Sequence, residues 1–218
     1  MKIRSIIIVL TVMLAACTTG VPPAYRGADS GKVVIGIGAT NNTYYKSHTF
    51  LFHRMGTKKT SMPLESEGNF LTYYQNPSAL HTSQTHDYET NAENGAILLA
   101  ELAPGDYEIY NFSSVLRSGG GYFEIASSKS DFSIRFTVRP NETTYLGNYQ
   151  ANAIRSSTAL FLKYSSGIVF VVSDRMRDDI TLLMKRHPDV NLGKTIDYTP
   201  SVASIMNPFF VEKFDGPR

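Results

Sequence analysis

The chain has one cysteine and no tryptophan in 218 residues, and neither sign of charge dominates: 21 lysines and arginines face 19 aspartates and glutamates. A lone cysteine excludes an intramolecular disulfide, a CxxC redox pair and a multi-cysteine zinc site. Charged residues make up 18% of the chain, below the roughly 25% of ordinary globular proteins, so a disordered polyelectrolyte and a basic nucleic-acid binder are both excluded. No apolar run reaches the roughly 20 residues that a conventional spanning helix needs. What is present is a hydrophobic fraction of 42% with 13 tyrosines and 12 phenylalanines. That is enough for one domain with a real core, and the composition favours strands.

The N-terminus gives the cysteine a context. Lys2 and Arg4 precede an uncharged apolar run from Ile6 to Met13, followed by the small residues Ala15 and Ala16, the pattern of an export signal over residues 1–16. Leu14-Ala15-Ala16-Cys17 resembles the lipobox of bacterial lipoproteins. The resemblance implies that the Cys17 sulfur is diacylglycerylated, that the chain is cut just before it and that the new amine is acylated. An anchor of two or three acyl chains exceeds what stable membrane attachment requires. Thr18 follows where the resembled family uses aspartate for inner-membrane retention, which implies the outer membrane, on its periplasmic face or at the cell surface. The expected partner of Cys17 is therefore the lipid bilayer; the alternative is an ordinary secretory signal ending in a free thiol. Cleavage removes Lys2 and Arg4, and the remaining acidic and basic side chains balance.

Residues 17–30, rich in Gly, Pro, Ser and Thr, read as a tether. The domain proper is expected over 31–195, with the tail at 196–218 docking on it or adding an edge strand. Val33 to Ile37 is β-branched and bounded by Gly31 and Gly38, as suits a strand buried on both faces. Strands are also expected at His48–Arg54 and around Phe70–Tyr74. Ala96–Leu102 and Tyr107–Phe112 flank Pro104-Gly105, the chemistry of a type II turn, and predict a hairpin. Phe132, Ile134, Phe136 and Val138 alternate with polar residues and predict a strand that turns at Pro140-Asn141 into Thr143–Tyr149. A third hairpin is expected between Ala159–Tyr164 and Ile168–Val172, and Gly119–Gly121 reads as a loop. Met176, Ile180, Leu183 and Met184 fall on one helical face over about 174–187, with Ser173 or Asp174 as cap and Pro188 as stop.

Leu102-Ala103-Pro104-Gly105-Asp106-Tyr107 and Phe136 to Asn148 together resemble a family of bacterial lipoproteins with the domain of unknown function DUF2846. The resemblance implies a mainly β fold, an antiparallel sandwich of the transthyretin (prealbumin) or carboxypeptidase-regulatory type with one short C-terminal helix. Asn141 stands where that family has glycine, and asparagine tolerates the left-handed backbone. These motifs carry fold and no catalytic residue.

Signals for chemistry are sparse. His48, His53, His81, His86 and His187 match neither HExxH nor an i, i+4 pair, and read as loop histidines. Gly36-Ile37-Gly38 lacks the third glycine and the helix of a dinucleotide loop and reads as a bent or bulged strand. No GxSxG elbow occurs. Glu65 with Glu67, or Asp178 with Asp179, are candidate carboxylate pairs for glycan hydrolysis, the second pair expected on the wet face of a helix start. Tyr44, Tyr45, Tyr73, Tyr74, Tyr88, Tyr110 and Tyr122 suit either a ligand-stacking surface or the edges of the core, the core reading being preferred. The expectation is a non-enzymatic envelope lipoprotein with no cofactor, engaging an envelope protein or glycan. The alternatives are a peptidoglycan or glycan hydrolase using acids in 55–95, and a structural anchor subunit of a secretion or surface complex.

Overall fold

The computed structural model describes residues 25–43, 45–57, 59, 69–76, 84–117, 123–128, 132–157 and 163–212. Cys17, the signal segment, Tyr44, Glu65, Glu67, His81, Gly119–Gly121, Tyr122 and residues 158–162 lie outside them. Among the described residues no helix is long and apolar enough to cross a membrane.

The chain is mainly β, in two sheets. The strands are β1 Gly31–Thr40, β2 Tyr45–Arg54, β3 Asn69–Tyr74, β4 Tyr88–Glu89, β5 Glu93–Leu102, β6 Gly105–Arg117, β7 Phe123–Ser127, β8 Ile134–Val138, β9 Thr143–Ser157, β10 Lys163–Ser173, β11 Thr195–Asp197 and β12 Phe210–Glu212. One sheet runs β12-β10-β9-β1-β5-β4, with β11 beside the start of β9; the other runs β3-β2-β6-β7, with β8 beside the start of β6. Their facing sides share one core, in which Val33, Ile35 and Ile37 of β1 meet Phe50, Phe52 and Phe112 of the second sheet. The Phe50 ring lies 4.9 Å from Tyr149 and 5.0 Å from Phe170 across that interface. Period-2 alternation sends every second side chain inward from each sheet, and the aromatic volume fills the space between.

Several expected connections differ. β5 and β6 do not pair: β5 lies between β1 and β4, and β6 pairs with β2, β7 and β8. The Pro104-Gly105 bend is therefore a corner that carries the chain from one sheet to the other. Pro140-Asn141 does the same between β8 and β9, with Asn141 at φ 58°. A proline bend between two amphipathic strands keeps both apolar faces on one core whether they pair or face each other, so the sequence pattern is the same for both. Ser165–Gly167 is a bulge inside β10, where the pairing with β9 slips by a residue, and the hairpin partner of β10 is β9 itself. The first sheet is also mixed, because β1 with β9, β9 with β11 and β10 with β12 run parallel, while the second sheet is antiparallel throughout its described pairs. The all-antiparallel expectation fails at these pairs, where the chain returns to the sheet after a crossover or through the tail.

Helix α1, Met176–Met184, lies on the outer face of the first sheet, with Ile180 and Leu183 packed on Val34, Ile97, Tyr145 and Val190. The Asp174 side chain accepts from the Met176 N–H at 3.0 Å. A second helix, α2, is one turn at Val202–Ile205, and Leu192–Lys194 forms a 3-10 turn, so the helical content is not confined to one element. In the tail, Ile205 and Phe210 enter the core, and β12 adds an edge strand beside β10.

Candidate functional site

The outer face of the first sheet is divided. α1 covers one part; beside it a cleft of about 890 Å³ opens over the end of β1, lined by Thr40, Glu93, Gln150, Asn152, Arg175 and Asp178 among others. The floor between helix and cleft is a polar network. Asp179 of α1 is wholly buried and accepts hydrogen bonds from the Tyr145 hydroxyl at 2.7 Å and from Asn148 Nδ2 at 2.9 Å. Gln150 Oε1 accepts from the Tyr88 hydroxyl at 3.1 Å. Arg175 closes the network from above, its guanidinium 4.9 Å over the Tyr88 ring, 3.6 Å from Glu93 and 3.9 Å from Asp179.

The network exists because three residues have no side chain. A Cβ on Gly36 would lie 2.2 Å from Asn148 Nδ2 and 2.6 Å from Asp179 Oδ2; one on Gly38 would lie 2.3 Å from Gln150 Oε1; one on Gly95 would lie 2.2 Å from the Tyr88 hydroxyl. The Gly36-Ile37-Gly38 alternation therefore removes side chains from the outer face of β1 while Ile35 and Ile37 face the core. The strand is indeed irregular here: its register with β9 shifts between Val34 and Gly36, opposite Gly147 at φ 97°. Only glycine takes that φ without strain.

Burial pushes the Asp179 carboxyl above its ordinary value, and the bonds from Asn148 and Tyr145 work against that rise. Burial likewise raises the Tyr145 hydroxyl, helped by the neighbouring Asp179 charge, and raises Tyr88. Two fully buried atoms of the network have no hydrogen-bond partner, Gln150 Nε2 and Asp179 Oδ1, the latter facing only the Arg175 ion pair, and Thr199 Oγ1 at the cleft wall is a third. Unsatisfied buried polar atoms are rare in folded proteins and call for a reason.

Asp178 and Asp179 thus do not share a wet face. Adjacent helical residues point about 100° apart, and the glycine floor accepts the second of them while Asp178 stays exposed. Two of the histidines, His48 and His53, lie on β2 and not in loops, while His86 and His187 do lie in irregular segments. His48 is in the core, its Nδ1 2.9 Å from the Ser114 hydroxyl, and burial holds it down to about 3. His53 Nε2 is 2.8 Å from Glu108 Oε1, which Lys59 also reaches at 2.9 Å. Ser133 donates to the other Glu108 oxygen at 2.5 Å, so the carboxylate lies between hydroxyl and imidazole, and the His53 ring is hydrogen-bonded to Glu108 and not to the serine. Burial alone would raise the Glu108 carboxyl, but the hydrogen bonds from Ser133, His53 and Lys59 outweigh it and hold it at about 2. His86 and His187 are half-buried and far apart in the chain, and among the described residues no three His, Cys, Asp or Glu side chains converge as a metal site would require. Tyr45, Tyr73 and Tyr110 are buried, and Tyr74 and Tyr88 half-buried, which fits the core and edge reading and leaves no tyrosine platform among them.

Sequence reasoning missed Arg175, Gln150 and Asn148. The period-2 run Asn148, Gln150, Asn152 on β9 was the available signal, since it places three amides on one face beside two glycines of β1.

No protein-family profile matches the chain, and no curated protein matches it. A solved structure, that of a leucine-rich repeat protein from Bacteroides thetaiotaomicron, is similar at 10% identity over 57% of this chain and 14% of that one, with a TM-score of 0.31. The chain thus spans about one seventh of that protein's length, and a likeness of that size carries no argument about fold type or function.

Proposed function

We propose that this chain is a lipid-anchored lipoprotein of the outer membrane, held by acylated Cys17, whose domain binds a polar component of the cell envelope without transforming it. The cleft on the outer face of the first sheet carries this reading. It is a concave, polar site with partnerless buried groups, on a face that a structure built for stability alone would cover. Its position fits the anchor. The tether meets the domain where the Tyr25 N–H bonds the Glu101 carbonyl and the Asn141 N–H bonds the Ser30 carbonyl. The cleft lies at the other end of β1, about 30 Å away at 3.3 Å per residue, and so faces away from the bilayer.

The fold we assign is the transthyretin-like type implied by the DUF2846 resemblance, with parallel additions. The two motifs of that resemblance form the two corners at the tether end. A binding role is favoured over hydrolysis because the candidate acidic pair is divided: Asp179 is buried and committed to Tyr145 and Asn148, so it does not act beside Asp178 as the paired carboxylates of glycosidases do.

Two measurements test the proposal. Cys17→Ser moves the protein from the membrane to the soluble fraction; retention with membranes defeats the anchor. A photo-cross-linking residue in place of Asn152, in the cleft, captures an envelope component in intact cells, whereas one in place of Met184, on the exposed side of α1, does not. Equal capture from both positions defeats the cleft as the binding site.

A further inference from the structure

The cleft's charges and orphaned atoms narrow the ligand class, an inference that rests on the binding reading above. The carboxylates come from separate elements: Glu93 from β5, Asp174 and Asp178 from the start of α1, and Glu212 from β12, with Arg175 the one cation among the cleft residues. Arg175 is already placed against Glu93 and Asp179. Among the described residues no lysine or arginine forms an ion pair with Asp174, Asp178 or Glu212. The macrodipole of α1 accounts for Asp174 and Asp178 at its start, but Glu212 lies on an edge strand where no such effect operates. An anionic ligand would meet this excess of like charge.

The second observation is Gln150. Its side chain is 8% exposed and lines the cleft; its oxygen is held by Tyr88, and its Nε2 has two N–H groups and no acceptor. With the Tyr88 hydroxyl donating to the amide oxygen, Nε2 is left as a donor without an acceptor at a cleft that also carries carboxylates outside any ion pair. A ligand that satisfies both carries a cationic amine and, nearby, hydroxyl or ring oxygens. We propose that the cleft takes a sugar bearing a free, protonated amine, the amine meeting Asp178 and Glu212 and a ring or hydroxyl oxygen accepting from Gln150 Nε2.

The test is calorimetric titration of the purified full-length protein in detergent with three probes: a glucosamine trimer, its N-acetylated counterpart and a galacturonate trimer. The proposal expects the glucosamine trimer to bind, the N-acetylated trimer to bind at least about ten-fold more weakly, and the acidic trimer not to bind. The double variant Asp178→Asn, Glu212→Gln, altered only at exposed residues, loses at least about ten-fold in affinity for the glucosamine trimer with its thermal unfolding unchanged; ten-fold corresponds to about 1.4 kcal/mol. Equal binding of the acetylated trimer overturns amine recognition while leaving the cleft a binding site. Binding unaffected by the double variant, or no binding of any probe, overturns the proposal outright. The cross-linking experiment at Asn152 judges the wider binding reading separately.

Discussion

The two faces of the first sheet are built on opposite rules. Inward, β1 presents Val33, Ile35 and Ile37 to an aromatic core in which Phe170 lies 5.0 Å from Phe50 and 5.1 Å from Phe112. Outward, the same strand presents Val34 under α1 and then Gly36 and Gly38, whose bare backbone supports Asn148, Asp179, Gln150 and Tyr88. One face is stabilised by what its side chains fill. The other depends on side chains that are missing, which leave room for a buried polar network around Asp179 and Gln150. A strand divided in this way separates the residues that fill the core from those that support the floor of the cleft.

The largest effect is expected inside. Phe170→Ala removes a wholly buried ring and should cost about 3–5 kcal/mol in urea unfolding, with the cleft's affinity unchanged whenever the protein is folded. A second inward test uses acid. His48 stays neutral in the fold down to about 3, against an ordinary value of 6.5. The unfolded chain therefore takes up the proton first, and stability that is full above pH 6.5 is lost as pH falls toward 3. Glu108, held at about 2 against an ordinary 4.5, adds a second loss as pH falls from 4.5 toward 2. Urea midpoints measured across pH should fall through both windows, with His48→Leu flattening the first and Glu108→Gln the second.

The outward face should respond less in stability and more in binding. Gly36→Ala forces a methyl against Asn148 and Asp179 and should cost about 1–3 kcal/mol, the usual range for overpacking, while displacing the floor and abolishing recognition in the cleft. A Gly36→Ala protein that binds as before would join the two faces into one structural unit and remove the distinction.

Much of the first face was legible in the sequence, and little of the second. Alternating Phe132, Ile134, Phe136 and Val138 announce a strand with one dry side, and Val33–Ile37 a strand covered on both. Period 2 does not say which sheet a strand joins, so the Pro104 and Pro140 corners read as hairpins. Asp179 was misread for a related reason. An acidic pair at a helix start is what the macrodipole favours in water, and the burial of Asp179 depends on Gly36 of β1, more than 140 positions earlier, which the pairing of β1 with β9 sets beside Asn148 beneath the helix.

The division between the faces is tested most directly at Gln150, the buried amide with a held oxygen and a free donor. Gln150→Leu removes the orphaned Nε2 together with the acceptor of the Tyr88 hydroxyl, two changes of opposite sign. Unfolding in urea should therefore give a stability within about 1 kcal/mol of the parent, while the cleft loses its ligand. A loss of about 3 kcal/mol or more would mean that the amide belongs to the structural core, and would contradict the account.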